Sequence, residues 1–129
     1  MLKNLFIVGM GGSLGAILRY LMSLWLTPQT ATATLPYGTI TVNFLGCFLI
    51  GFFATLAENK AWFSTEISLL LIIGFLGSLT TFSTFGNDSL NLMRQNAMAH
   101  ALFNIGIQVM GGLILVWLGR IFCMKLFVS

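Results

Sequence analysis

The chain has 129 residues, 57% of them hydrophobic and only 7% charged, with a mean hydropathy of +0.96. Soluble domains carry about 25% charged residues, so this composition excludes a soluble globular protein and points to an integral membrane protein. The length excludes a large transporter with repeated halves, and the net charge of +3 bears on loop orientation in a membrane and not on nucleic acid.

The first apolar segment runs from about Asn4 to Leu26, enough to cross a hydrocarbon core that takes about 20 helical residues. It carries Gly9, Gly11, Gly12 and Gly15, and the Gly11/Gly15 spacing lets another backbone approach closely. Lys3 gives a charged start and Ala31-Thr32-Ala33 resembles a cleavage site. The apolar run between them is too long for a signal peptide and contains Arg19, so it reads as a retained helix. A connector over 27–36 holds both prolines, several threonines and no charge. The second segment, about Tyr37 to Ala57, has Asn43 well inside, and Gly38, Gly46 and Gly51 again favour close packing. The connector from Glu58 to Glu66 carries Lys60 and Trp62, an aromatic beside charges as in the interfacial belt.

The third segment, about Ile67 to Met93, contains the most unusual stretch, GFLGSLTTFSTFGND at 74–88. Five hydroxyl residues gather there, Ser78, Thr80, Thr81, Ser83 and Thr84, framed by Gly74, Gly77 and Gly86 and interleaved with Phe75, Phe82 and Phe85. Polar side chains and irregular backbone persist at membrane depth only where protein or a water-filled cavity covers them. The segment is therefore predicted to face a pathway or a tight helix contact, and to be broken or kinked near its middle around Gly77, Ser78 and Thr80. After Arg94-Gln95-Asn96, the fourth segment, about Met98 to Phe127, carries Asn104 and Gln108 one turn apart, then Gly111-Gly112, and ends with Arg120 and Lys125. The reading is an all-α integral membrane protein, a single four-helix transmembrane domain over 1–129. With the N-terminus inside, Lys3, Lys60, Arg120 and Lys125 lie inside and Arg19 and Arg94 outside. So weak a bias permits insertion in both orientations.

Several residues bear on chemistry. Arg19 is the one basic residue embedded in the first half, at a cost of about 2.5–3.5 kcal/mol if it sits at mid-depth. It either snorkels to the interface or builds an electropositive vestibule for an anion. Asn43 offers an amide that either bonds a neighbouring helix, worth about 0.6 kcal/mol, or donates to a ligand. Phe82 and Phe85 share a helix face. Packing is the ordinary reason for such a pair, but ring edges are electropositive and can face an anion. Ser83 and Thr84 can donate to an anion or bond back to the preceding turn. Asp88 is an interfacial charge or the guard of a pore mouth, and His100 reads as interfacial. Cys47 and Cys123 read as small hydrophobes in apolar segments, with no Cys/His cluster for a metal. No nucleophile, base and acid set occurs, so an enzyme is not expected.

These motifs resemble the Fluc (CrcB-type) fluoride channels over essentially the whole chain. The resemblance is carried by GGSLGAILRY at 11–20, YGTITVNFLGCFLIG at 37–51 and, most specifically, GFLGSLTTFSTF at 74–85. It implies an antiparallel, dual-topology homodimer with two fluoride pathways in the plasma membrane of a prokaryote. Pairing with a different second subunit is the alternative. It further implies that Phe82 and Phe85 are the pore phenylalanines, Asn43 the pore asparagine and Arg19 the first-helix arginine. Gly77 and Thr80 would offer main-chain carbonyls to a structural sodium ion at the dimer interface, and Asp88 stands where relatives often carry glutamate. This chain departs from the pattern at Gly112 and Val116, where relatives carry a serine and a threonine on the pore side of the fourth helix, and at Gly86 in place of a serine. The expected polar track is thinner as a result.

The sequence therefore points to passive, fluoride-selective export along Arg19, Asn43, Phe82, Ser83, Thr84 and Phe85, which fits an ion whose hydration shell must be replaced by close donors. Two other classes compete with it. A small multidrug/proton antiporter needs a carboxylate in the first helix, and no Asp or Glu precedes Glu58. A non-transporting membrane interaction protein would use the glycine faces only to assemble.

Overall fold

The computed structural model describes residues 1–26, 35–60 and 63–127. The expected cleavage-like Ala31–Ala33 stretch and Trp62 lie outside them, as does most of the first connector. Every regular element among the described residues is helical: α1 (Leu2–Leu26), α2 (Tyr37–Asn59), α3 (Thr65–Ser68), a π-helical stretch (Leu69–Leu76), α4 (Gly77–Leu79), α5 (Phe82–Arg94) and α6 (Met98–Phe127). They make four spans long and apolar enough to cross a membrane, over Leu2–Leu26, Tyr37–Asn59, Thr65–Arg94 and Met98–Phe127.

The ends of these helices follow from local chemistry. Ser64 caps α3 by accepting the Ile67 N–H at 3.3 Å, and Glu66 sits in the first turn, where the helix dipole favours an anion. At the end of α5, Ala97 N–H reaches Leu92 O at 2.9 Å and Asn96 N–H reaches Met93 O at 3.0 Å. Asn96 takes a left-handed φ of 59°. This is the paired-bond ending that satisfies the last carbonyls of a helix, with asparagine in place of the usual glycine, and it turns the chain directly into α6.

Packing is of two kinds. Along α1, a Cβ on Gly11 would strike Leu70 O and one on Gly15 would strike Phe75 O, so the pair expected to admit a backbone does so. Gly74 answers from the other side, where an added Cβ would come within 2.7 Å of Val8 O. Along α2 and α6, Gly51 lies on Val116 O and Gly119 on Phe48 O. Side chains then fill two cores, one of Val42, Leu76 and Leu79 and one of Leu56, Phe63 and Cys123. Both cysteines are free thiols, and Cys123 packs fully buried as a small hydrophobe. The ion pairs at one end of the bundle include Lys3 to Glu66 at 3.2 Å and Arg120 to Glu58 at 2.7 Å. Both are exposed pairs, worth no more than about 1 kcal/mol each.

The third span is the least regular. The π-helical stretch LLLIIGFL has no polar or proline signal and was not expected. Gly77, expected within the irregular part, is itself helical at φ −62° and ψ −27°. Thr80 (φ −77°, ψ 151°) and Thr81 (φ −148°, ψ 111°) are extended, and helical geometry resumes at Phe82.

Candidate functional site

The site is built around those two extended residues. Thr81 is buried, and its N–H donates to Asn43 Oδ1 at 2.9 Å across from α2. Its hydroxyl accepts from Thr84 N–H at 3.2 Å and thereby caps α5. Asn43 Nδ2 donates to Gln108 Oε1 on α6 at 2.7 Å and lies 3.4 Å from Thr81 O. Gln108 Nε2 donates to Asn104 Oδ1 at 2.8 Å, and Asn104 Nδ2 to Ser89 Oγ at 2.9 Å. Ser89 Oγ in turn donates to Phe85 O at 2.8 Å. Polar groups left alone at this depth would each cost several kcal/mol, and none of the buried side-chain nitrogens or oxygens among the described residues lacks a partner.

Asn43, Thr81, Phe82, Phe85 and Gln108 line one cavity of 410 Å³, together with Thr80 and an apolar remainder that includes Ile50, Ile72 and Leu76. The Phe82 and Phe85 rings stand 5.5 Å apart, tilted by 48°. Phe82 is 83% exposed. Among the described residues, none that lines this space is charged. A second cavity of 310 Å³ is lined by Arg19, Tyr20, Ser23, Thr39 and Thr84 among others, and Thr81 lines both. Arg19 is thus brought to the hydroxyl end of the site and not to the phenylalanine end. Thr39 Oγ1 donates to Asp88 Oδ2 at 2.7 Å, which ties α5 to the start of α2.

Of the residues singled out in the sequence, Asn43, Phe82 and Phe85 come together in the first cavity, and Arg19 and Thr84 in the second. Ser83 lines neither of these two, although its hydroxyl is 3.2 Å from that of Thr81. Gly77 and Thr80 line the first. Thr81, Ser89, Asn104 and Gln108 were not among the expected site residues. The available signal was the spacing of Asn104 and Gln108, two amides four apart in an otherwise apolar helix. Gly112 and Val116 belong to the α2 contact: a Cβ on Gly112 would come within 3.2 Å of Cys47 Sγ, and Val116 O lies against Gly51.

Over residues 6–120 the chain matches the family described as CrcB-like protein, Camphor Resistance (CrcB). It is 44% identical over 120 residues to a protein of Methanococcus aeolicus named fluoride-specific ion channel FluC, covering 93% of this chain and 94% of that one. Proteins of the same name from Shewanella loihica and Shewanella pealeana are 43% and 42% identical over 119 residues, covering 92% of this chain and 94% of each relative.

Proposed function

The chain belongs to the CrcB family, and we propose that it is a fluoride-selective ion channel, not an enzyme, that lets fluoride leave the cytoplasm passively. One observation carries the reading at the site. An amide, a buried threonine and two tilted phenyl rings line one uncharged cavity between the spans. Such a lining offers N–H, O–H and ring-edge donors to a small, strongly hydrated anion and provides no titratable carboxylate for proton exchange. Purified protein in fluoride-loaded liposomes should release fluoride, read by an electrode, without a proton gradient and with chloride retained. Efflux that requires a proton gradient, or none from liposomes shown to contain the protein, would overturn this.

The working unit is an antiparallel pair of identical subunits in a prokaryotic plasma membrane, with one chain inserted each way. The weak bias of basic residues supports it. A cysteine reporter placed near the C-terminus should label from both sides of the membrane, and labelling from one side alone would refute dual insertion.

In the same reading, the extended pair Thr80–Thr81 breaks the third span at the two-fold axis, and the break holds a structural sodium ion. The residues present fit such an ion. The two amides that would serve the carbonyls of Gly77 and Thr80 in a continuous helix are those of Thr81 and Thr84, and both are donated to side-chain oxygens. These carbonyls are therefore available as hard oxygen ligands of the kind channels use for monovalent cations. Two per chain would give four oxygens in a pair. When bound, the ion supplies the positive charge that such converging carbonyls need.

A further inference from the structure

Five hydrogen bonds run head to tail from Thr81 N–H through Asn43, Gln108, Asn104 and Ser89 to Phe85 O. Both ends dictate their direction. A main-chain N–H only donates, so the Asn43 amide must turn its oxygen to Thr81. Its nitrogen then faces Gln108, which must receive it with oxygen, and the same choice passes on to Asn104. At the far end a main-chain carbonyl only accepts, so Ser89 donates to Phe85 and takes its own bond from Asn104. Reversing Asn43 or Gln108 would set donor against donor and acceptor against acceptor, and reversing Asn104 would set its nitrogen against that of Gln108.

This leaves one hydrogen in an unusual position. Asn43 Nδ2 carries two, and the bond to Gln108, at 2.7 Å, uses one. The other has Thr81 O at 3.4 Å, beyond the usual range for such a bond. It belongs to a side chain in the wall of the cavity that Phe82 and Phe85 also line. Because hydrogen bonds in a chain polarise one another, an amide that accepts at its oxygen donates more strongly at its nitrogen.

We propose that Gln108 is a positioning residue for conduction. Backed by Asn104 and Ser89, it engages one hydrogen of the Asn43 amide and so leaves the other, weakly held by Thr81 O, to be yielded to a fluoride ion in the cavity. The proposal rests on the channel reading above. Without Gln108 the terminal torsion of Asn43, which is broad and roughly two-fold, would no longer be fixed from the α6 side.

The test compares fluoride efflux from liposomes holding the wild type, Gln108→Met and Gln108→His. Methionine keeps the length and most of the volume but makes no such bonds, whereas histidine keeps one acceptor and one donor nitrogen. Gln108→Met should lower the flux about tenfold, the factor that corresponds to one hydrogen bond of ordinary strength, and Gln108→His should recover most of it. Wild-type flux from a correctly assembled Gln108→Met overturns the proposal, as does an equal loss in both variants, which would mean that only shape matters. Should Gln108→Met fail to assemble, nitrogen-15 resonances of the Asn43 side-chain amide decide. In wild-type protein titrated with fluoride, one of its two protons should move, and movement of both or neither is contrary. A wild type that passes no fluoride removes the channel reading and the proposal with it. A conducting wild type with an indifferent methionine variant removes the proposal alone.

Discussion

Helices α2 and α6 touch along two stretches that are held in opposite ways. Around Gly51 and Gly119 the two backbones meet directly, with Val116 O and Phe48 O against the glycines. Around Asn43 and Gln108 the contact is a pair of amides 2.7 Å apart. In lipid the first kind is driven by shape alone, since tails are as apolar as the helices. It has no polarity and tolerates nothing larger than hydrogen. The second has a direction, and it is stable only while every donor and acceptor is matched. One helix pair thus separates the part that fixes the fold from the part that the channel reading assigns to the ion, and substitutions should distinguish them.

The largest effect is expected at the glycine stretch. Gly51→Leu drives a side chain into the Val116 carbonyl, which cannot yield without moving α6. The loss should reach or exceed the upper end of the ~1–3 kcal/mol seen for overpacking, read as disappearance of the monodisperse species on size exclusion. A folded, conducting Gly51→Leu would show that the backbone contact is dispensable. In the cavity that borders the other stretch the order of effects inverts. Phe82→Ile and Phe85→Ile replace rings that are exposed or only half-buried with another apolar side chain and should cost less than about 1.5 kcal/mol of stability, yet efflux should drop by about tenfold or more if ring edges contribute as much as one hydrogen bond. Wild-type flux in both would return the rings to a packing role. Next, replacing sodium with a large organic cation should reduce flux or dimer stability, and lithium or potassium should not fully restore it; identical behaviour after verified loss of sodium would refute the structural ion. The smallest effect belongs to the cap. Thr81→Val removes the oxygen that accepts Thr84 N–H and should cost about 1 kcal/mol in thermal stability.

Much of the scaffold was legible because each span is a long apolar run. The Gly11/Gly15 contact was legible because a four-residue glycine spacing leaves few alternatives. Asn43, Phe82 and Phe85 were identifiable as residues, since an amide and two rings stand out against Leu and Ile. Their partners were not. Gln108 is 65 positions from Asn43, and nothing local says which of several amides will face it. The extended residues fall at Thr80 and Thr81, and not at Gly77, because the acceptor on α2 faces the Thr81 amide. Composition gives the supply of hydroxyls but not the side from which an acceptor arrives. Gly112 and Val116, read in the sequence as gaps in a polar track, are in the structure the surface on which α2 lies.

The left-handed residue at the end of α5 has a consequence far from its own position. Only Gln95, Asn96 and Ala97 separate α5 from α6, and the bonds from Asn96 to Met93 and from Ala97 to Leu92 fix where the second helix begins. Since an α-helix advances about 100° per residue, this turn sets the rotational phase of all of α6. One additional residue after Asn96 would keep every amide in the chain but rotate Asn104 away from Ser89 and Gln108 away from Asn43. The phasing of the polar row is therefore set at a turn outside it, by a residue that is hydrogen-bonded to none of its members.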